Sequence, residues 1–526
     1  MDIKNSEQPE ERERRDLKDY IKKQHVYVFA ATIILGLVAH GFMFLNKFSW
    51  HDDMNHLLDV GTTYYSGRWF LGVLGESVQR YVGNFSLPWF HGVLSLLFLA
   101  AANILLVEMF HLKRIVSCIL LGGMMAVFPS WVSTFGYMFT APYYAASIFL
   151  ALLGIYLVWT MKKVWGGILL GAVCICFSLG IYQAYLPLAV TVLVIAFLNE
   201  VITEPGRSFK EHFWKGFSGI LSVLMGLVFY FIMNKIFLLL KQVSLSDYQN
   251  LNQMGHIDIK MMAKGIVTAW SEFIVPVDGG RMDLYMQSVR PAYYVILILT
   301  LAFFAWHTVK CWKRNHITAF FLLGGALCFP IGVNLLYLMG EMTYIHGIML
   351  YAKVMVFILP IVLVERIGID TCKVRKYSTL LLSVLLIFVG GFYTHFANVC
   401  YLQADFQQKE VISWMNILVA RIQSEEGYRR DLPIVYLNCK GQTHSIPAST
   451  TTPMQFPGVE IIPYGRAFYG SFSGWKVGLY RWCGFRHKEI TETTDIEALP
   501  EVQEMPSYPD AGSVRIIDEM IIVKFR

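Results

Sequence analysis

The segment VYVFAATIILGLVAHGFMFLN, residues 26–46, carries no charged side chain and is followed directly by KFSWHDDMNH, residues 47–56. A helix needs ~20 apolar residues to cross the hydrocarbon core of a bilayer, so residues 26–46 read as a span. Asp52 and Asp53 then stand side by side at its mouth. Carboxylates in that position cost free energy to dehydrate, and they usually coordinate, pair or catalyse. Asp is also a favoured N-cap, here for a helix beginning near Met54. A cap requires only one of the two.

Working outward, the same reading applies to most of the chain. Of 526 residues 55% are hydrophobic and 16% charged, against about 25% charged in soluble domains; mean hydropathy is +0.48. Residues 115–161 and 164–199 contain no Asp, Glu, Lys or Arg, and each run is long enough for two spans and a tight reversal. The fold class is a polytopic α-helical membrane protein with about 11 spans, near 26–46, 88–110, 115–133, 140–160, 164–180, 183–199, 216–240, 291–310, 317–339, 347–365 and 377–397. The loops at Lys113-Arg114, Lys162-Lys163, Lys310 to Arg314 and Arg366 to Lys376 then share one face and are all basic, which makes that face cytoplasmic. Residues 1–24 form a charged cytoplasmic segment without the features of a cleavable signal. The Asp52-Asp53 loop, the loops at 241–290 and 340–346 and the tail lie outside. The expected location is the plasma or inner membrane.

Residues 54–82 mix Leu57, Leu58, Trp69, Phe70, Val73 and Leu74 with His56, Asp59, Arg68, Glu76 and Arg80. Such a stretch lies in the interface rather than across it. The loop 241–290 has the same character, and the two read as a lid over the outer surface. The expected organisation is a transmembrane catalytic domain over 25–399, with outer loops 48–87 and 241–290, and a small extracytoplasmic α/β domain over 400–526. In the latter, a helix over 403–424 precedes strand-like runs at Ile434 to Leu437, Val459 to Ile462 and Ile516 to Lys524. The nine cysteines show no metal-ligand spacing. Cys439 and Cys483 could form a disulfide in an oxidising compartment. Glycine-rich phosphate loops are absent, and the spread of basic residues over loops speaks for orientation, not nucleic-acid binding.

Three features taken in order and topology carry a resemblance: the acidic pair after the first span, the Gly67-Arg68-Trp69 step, and Leu179-Gly180-Ile181-Tyr182-Gln183-Ala184-Tyr185 at an outward-facing reversal. Over residues 26–400 the chain resembles the membrane glucosyltransferases that decorate O-antigen and related surface polymers; the tail matches nothing in them. The resemblance implies a GT-C-type bundle whose catalytic loop faces outward. It also implies a hexose, glucose first, taken from a polyprenyl-phosphate donor and given to a polysaccharide or lipid-linked glycan, with inversion. A separate donor synthase and a flippase would supply the donor, and membrane lipid surrounds the enzyme.

That chemistry makes definite demands. A carboxylate must receive the proton of the attacking hydroxyl, and Asp52 and Asp53 are the candidates. A fixed cation must meet the charge growing on the leaving phosphate. Arg68 fits, guanidinium suiting phosphate geometry. Lys353, six residues into a span entered from outside, and Arg281 are further candidates, although each could be a snorkelling anchor. Tyr182 and Gln183 could bind sugar hydroxyls or belong to the aromatic belt; His346 and Glu341 could bind donor or acceptor. No cofactor is certain. A divalent metal ion would find Asp52, Asp53 and His56 together. Competing readings are a polysaccharide polymerase or ligase, which would carry its basic residues in large later loops, and a lipid-linked sugar transporter or flippase, which would break its helices at mid-membrane.

Overall fold

A computed structural model of the protein describes residues 22–47, 53, 56, 60, 61, 63–246, 259–276, 283–340, 345–368, 372–438 and 472–525. Among them, ten helices are long and apolar enough to cross a membrane. The helices used below are α1 (Lys23–Leu45), α2 (Trp69–Tyr81), α3 (Pro88–Met109), α4 (Ile115–Val127), α5 (Ser130–Phe135), α6 (Ala141–Thr160), α7 (Val164–Ile181), α8 (Leu186–Thr203) and α9 (Phe209–Lys241). They are followed by α10 (Ile259–Ile274), α11 (Asp283–Trp312), α12 (His316–Val333), α13 (Leu336–Met339), α14 (Met355–Glu365) and α15 (Cys372–Gln423).

One of the eleven expected spans, 115–133, is broken. Phe128 precedes Pro129, and the steric conflict between a proline ring and the preceding residue disfavours helical backbone there; Phe128 is extended and ends α4. At 1.5 Å per residue the 13-residue α4 reaches ~20 Å, short of the ~30 Å core. The chain nonetheless travels from one end of α3 to the other, because His91 in the first turn of α3 donates to the Met138 carbonyl, 3.1 Å. Two further corrections concern helix type and continuity. The span expected from 347 begins as a 3-10 helix, Gly347–Val354, before α14. The span expected at 377–397 and the helix expected at 403–424 are the single 52-residue α15, since neither proline nor glycine interrupts residues 392–423.

Hydrogen bonds gather the basic loops at one end of the bundle. Lys22 and His25 pair with Glu108, and Arg114 with Glu365 at 2.7 Å. Arg366 donates to Asn199 Oδ1, 2.7 Å, His307 to the Leu363 carbonyl, 2.9 Å, and Lys215 to that of Trp159. The loops at 113–114, 162–163, 310–314 and 366–376 therefore share this end, as their alternation along the sequence requires. Inside the bundle, small residues let helices approach closely: a Cβ on Gly122 would meet the Val28 carbonyl at 2.7 Å. Asn103 Nδ2 donates to Thr32 Oγ1, 2.9 Å, a class of interhelical bond that contributes about 0.6–2 kcal/mol in a membrane.

At the opposite end lie α2 and α10, the two amphipathic stretches. The α10 helix buries Gly265, Ala269 and Phe273; Asn334 donates to the Ala269 carbonyl, 2.8 Å, and Phe273 meets Phe329 edge-on.

Residues 48–57 and 399–526 form a second compact unit, separate from 1–47 and 58–398. Of residues 48–57, Asp53 and His56 are described, and both fall in this unit. Within this unit a three-stranded sheet has the order β1 (Ile434–Leu437), β3 (Met520–Lys524), β2 (Val514–Ile517); β1 runs parallel to β3 and β2 antiparallel to it. The single strand expected at 516–524 is in fact a hairpin. Asp518 and Glu519 both have positive φ, 47° and 58°, as a two-residue type I′ turn demands. Val435, Leu437, Val502, Met505 and Ile522 form its core. The strand expected at 459–462 lies outside the described residues, as does Cys439 of the possible disulfide.

Candidate active site

Pro187 determines where the α7–α8 reversal falls. Were the helix continuous, the Pro187 ring would clash with the Gln183 carbonyl four residues back. Instead Tyr182 is extended, φ −156°, and Gln183–Tyr185 form one 3-10 turn before α8. Tyr182 and Gln183 are thereby turned toward the segment before α2. There Tyr64–Ser66 make another 3-10 turn, Gly67 adopts a left-handed conformation, φ 73°, and Arg68 caps α2.

Gln183 Nε2 donates to the Ser66 carbonyl and to the Tyr230 hydroxyl, each at 2.9 Å, and Tyr230 donates to the Gly67 carbonyl at 3.1 Å. The Ser66 and Gly67 carbonyls are thus fastened to the α7–α8 reversal and to α9. The Gln183 amide nitrogen is committed to this turn, so the residue positions Arg68. Arg68 Nη1 donates to the Tyr144 hydroxyl, 3.2 Å, and its guanidinium carbon lies 5.0 Å from the centre of the Tyr182 ring. The Tyr144 and Tyr182 rings stack at 4.6 Å. A cation over an aromatic face gains about 0.5–2 kcal/mol.

The helix that Arg68 caps is pinned as well. Trp69 stacks on Phe237 at 5.1 Å, and Lys241 pairs with Glu76 at 2.6 Å. Burial works to raise the Glu76 carboxyl, yet the hydrogen bonds from Lys241 and Tyr64 outweigh it and hold the group below its usual range.

Lys353 sits in the 3-10 helix Gly347–Val354 at the same end of the bundle. It is 3% exposed, so it does not snorkel to the surface as an anchor would. That 3-10 helix packs on α5 and on the Gln183–Tyr185 turn; Tyr351 donates to the Met125 carbonyl, 2.7 Å, and meets Tyr185 edge-on at 6.5 Å. His346 precedes it and is half-buried. Asp53 and His56 belong to the second unit, Asp53 fully buried. Asp52, Arg281 and Glu341 lie outside the described residues. Among the described residues no three His, Cys, Asp or Glu side chains are grouped to hold a metal ion.

Of the candidates read from sequence, Arg68 and Tyr182 meet directly, and Gln183 holds the turn that precedes Arg68. Tyr144 and Tyr230 were not among them. A tyrosine just after Pro142, and one inside an otherwise apolar stretch of α9, signal a polar partner without naming it.

A family model described as Glucosyl transferase GtrII matches residues 41–362, more than half of the chain. The chain belongs to this family. It is a glycosyltransferase, a multi-pass helical membrane protein by its ten apolar helices. The match takes in the acidic pair, Arg68, Tyr144, Tyr182, Gln183, Tyr230 and Lys353, and ends before residue 399. A comparison with curated proteins finds no match.

The turn gives a direct test. A Cβ at Gly67 would lie 2.6 Å from Gln183 Nε2 and 2.7 Å from the Tyr230 hydroxyl, and its φ disfavours any other residue. Gly67→Ala in the transferase is expected to cost about 1–3 kcal/mol locally and to lower transfer at least about tenfold as Arg68 loses its seat. Melting in detergent and initial rates measure the two effects; wild-type values for both would show that the turn does not position Arg68.

Proposed function

We propose that this glycosyltransferase moves a hexose, glucose first, from a polyprenyl-phosphate donor to an extracytoplasmic polysaccharide or glycolipid, in a single inverting displacement. The observation that carries the reading is a guanidinium that lies over the Tyr182 ring and donates to the Tyr144 hydroxyl, at the end of the bundle away from the basic loops. With those loops cytoplasmic by the positive-inside rule, the site faces a compartment without nucleotide sugars, and a lipid-linked donor supplies the leaving phosphate.

In that reaction the acceptor oxygen attacks the anomeric carbon. The bond from that carbon to the phosphate oxygen breaks, and its electron pair stays on the phosphate. Arg68 meets the developing charge, with Lys353 as a second, buried cation. One carboxylate of Asp52-Asp53 takes the acceptor's proton. A separate synthase makes the donor and a flippase delivers it. The decisive assay offers purified protein either polyprenyl-phosphate glucose or a nucleotide glucose with a surface glycan. Transfer from the first alone is expected; transfer from the second would overturn the proposal.

Orientation is tested separately. A cysteine at Gly279 is expected to react with an impermeant thiol reagent in intact cells, and one at Lys162 to react only after permeabilisation. The reverse pattern would put the site in the cytoplasm and remove the argument for a lipid-linked donor.

A further inference from the structure

At the basic-loop end, away from Arg68, α7 and α9 are clasped where Ser222 Oγ donates to the Ile168 carbonyl, 3.0 Å, and where a Cβ on Gly171 would meet Ser222 Oγ at 2.6 Å. On the loop side of this crossing lies a groove of about 540 Å3. Its depth is apolar, with Ile168, Phe217 and Leu221 among its walls, while Arg207 and Lys215 line it as well. Trp165 and Trp214 line it and are 74% and 53% exposed, as amphipathic rings at a membrane interface are.

The cations are held but not used up. Arg207 pairs with Glu200, and Lys215 donates to the Trp159 carbonyl while lying 4.8 Å over the Trp159 ring. A guanidinium has five donors and an ammonium three. Glu211, the groove's one acid, closes a capping box on the start of α9, accepting from Ser208 N and Oγ at 2.7 and 2.8 Å. Lys162 and Lys163 are exposed in the neighbouring turn. The lining therefore has two parts, cationic at the loop end and apolar below. Basic pockets between spans select anionic headgroups.

We infer that this groove binds an anionic phospholipid, with the phosphate toward Arg207 and Lys215 and an acyl chain along Ile168, Phe217 and Leu221. The site lies at the other end of the bundle from Arg68 and is independent of the donor reading.

The test is native mass spectrometry of the full-length protein in neutral detergent, titrated with dioleoyl phosphatidylglycerol or dioleoyl phosphatidylcholine. The wild type is expected to prefer phosphatidylglycerol about fivefold or more, the factor that ~1 kcal/mol per nearby cation gives. Lys215→Met keeps the apolar stem and is expected to abolish most of the preference. Because Lys215 also caps α6, two further variants accompany it: Lys162→Gln with Lys163→Gln, expected to reduce the preference, and Leu221→Trp, expected to lower affinity for both lipids by filling the groove. Melting temperatures identify any variant that fails to fold. Equal affinity for the two lipids in the wild type overturns the inference, as does a preference unchanged in every folded variant.

Discussion

Replacing Arg68 by alanine lowers hexose transfer by about 2–4 kcal/mol in activation free energy, the range seen when a donor to a developing oxyanion is removed. That is roughly a 30- to 1,000-fold loss in kcal/mol converted at 1.36 per decade. The loss falls on kcat, because the charge on the phosphate oxygen grows only as the anomeric bond breaks. Arg68→Lys recovers part of it, since an ammonium keeps the charge but cannot present a planar fork. The tyrosines grade the effect. Tyr182→Phe keeps the ring under the guanidinium and is expected to be mild, whereas Tyr182→Leu removes the face and lets the guanidinium swing, an intermediate loss. Near-normal kcat in both Arg68 variants would move the phosphate contact elsewhere, with Lys353 the next residue to test.

The acidic pair divides its labour, and the variants are expected to separate. Adjacent residues point ~100° apart on a helix and to opposite sides in extended chain, so both cannot face the acceptor hydroxyl alike. Asp53 is fully buried, which suits a carboxylate that orients or caps. The proposed mechanism then assigns the role of base to Asp52. Asp52→Asn preserves shape but cannot accept the proton, and transfer is expected to fall by 10²-fold or more. Asp53→Asn is expected to act more weakly, since Asn caps about as well as Asp. Donor binding and membrane insertion should match the wild type in both. Wild-type turnover in both variants would remove these carboxylates from the reaction and with them the central support for the displacement mechanism.

The second unit gives these predictions a structural setting. The tail beyond 399 lies outside the family match, yet Asp53 and His56, which lie inside that match, fall in the same unit as the tail.

How far the sequence alone reaches is clear from individual elements. Charge-free runs and short basic loops determined where the chain crosses and which loops share an end, because a helix partitions into lipid according to its own composition, residue by residue. Pro129 and Pro187 carried local signals for a broken span and a reversal, and only the first of these was misread, as a full crossing. Arg68, in an interfacial stretch, and Tyr182 and Gln183, at a reversal between spans, were legible as candidates because they are polar or aromatic groups at the membrane's outer edge. Their partners were not. Tyr144 is 76 residues from Arg68 and Tyr230 is 163 from Gly67, and each meets the turn only because α6, α7 and α9 pack with particular faces inward. The left-handed Gly67 has the same origin, needed because Gln183 and Tyr230 fill the space beside it. Hydropathy fixes that a helix crosses; which way each face turns depends on small-residue contacts and hydrogen bonds between helices far apart in sequence, and these exist only in the assembled bundle.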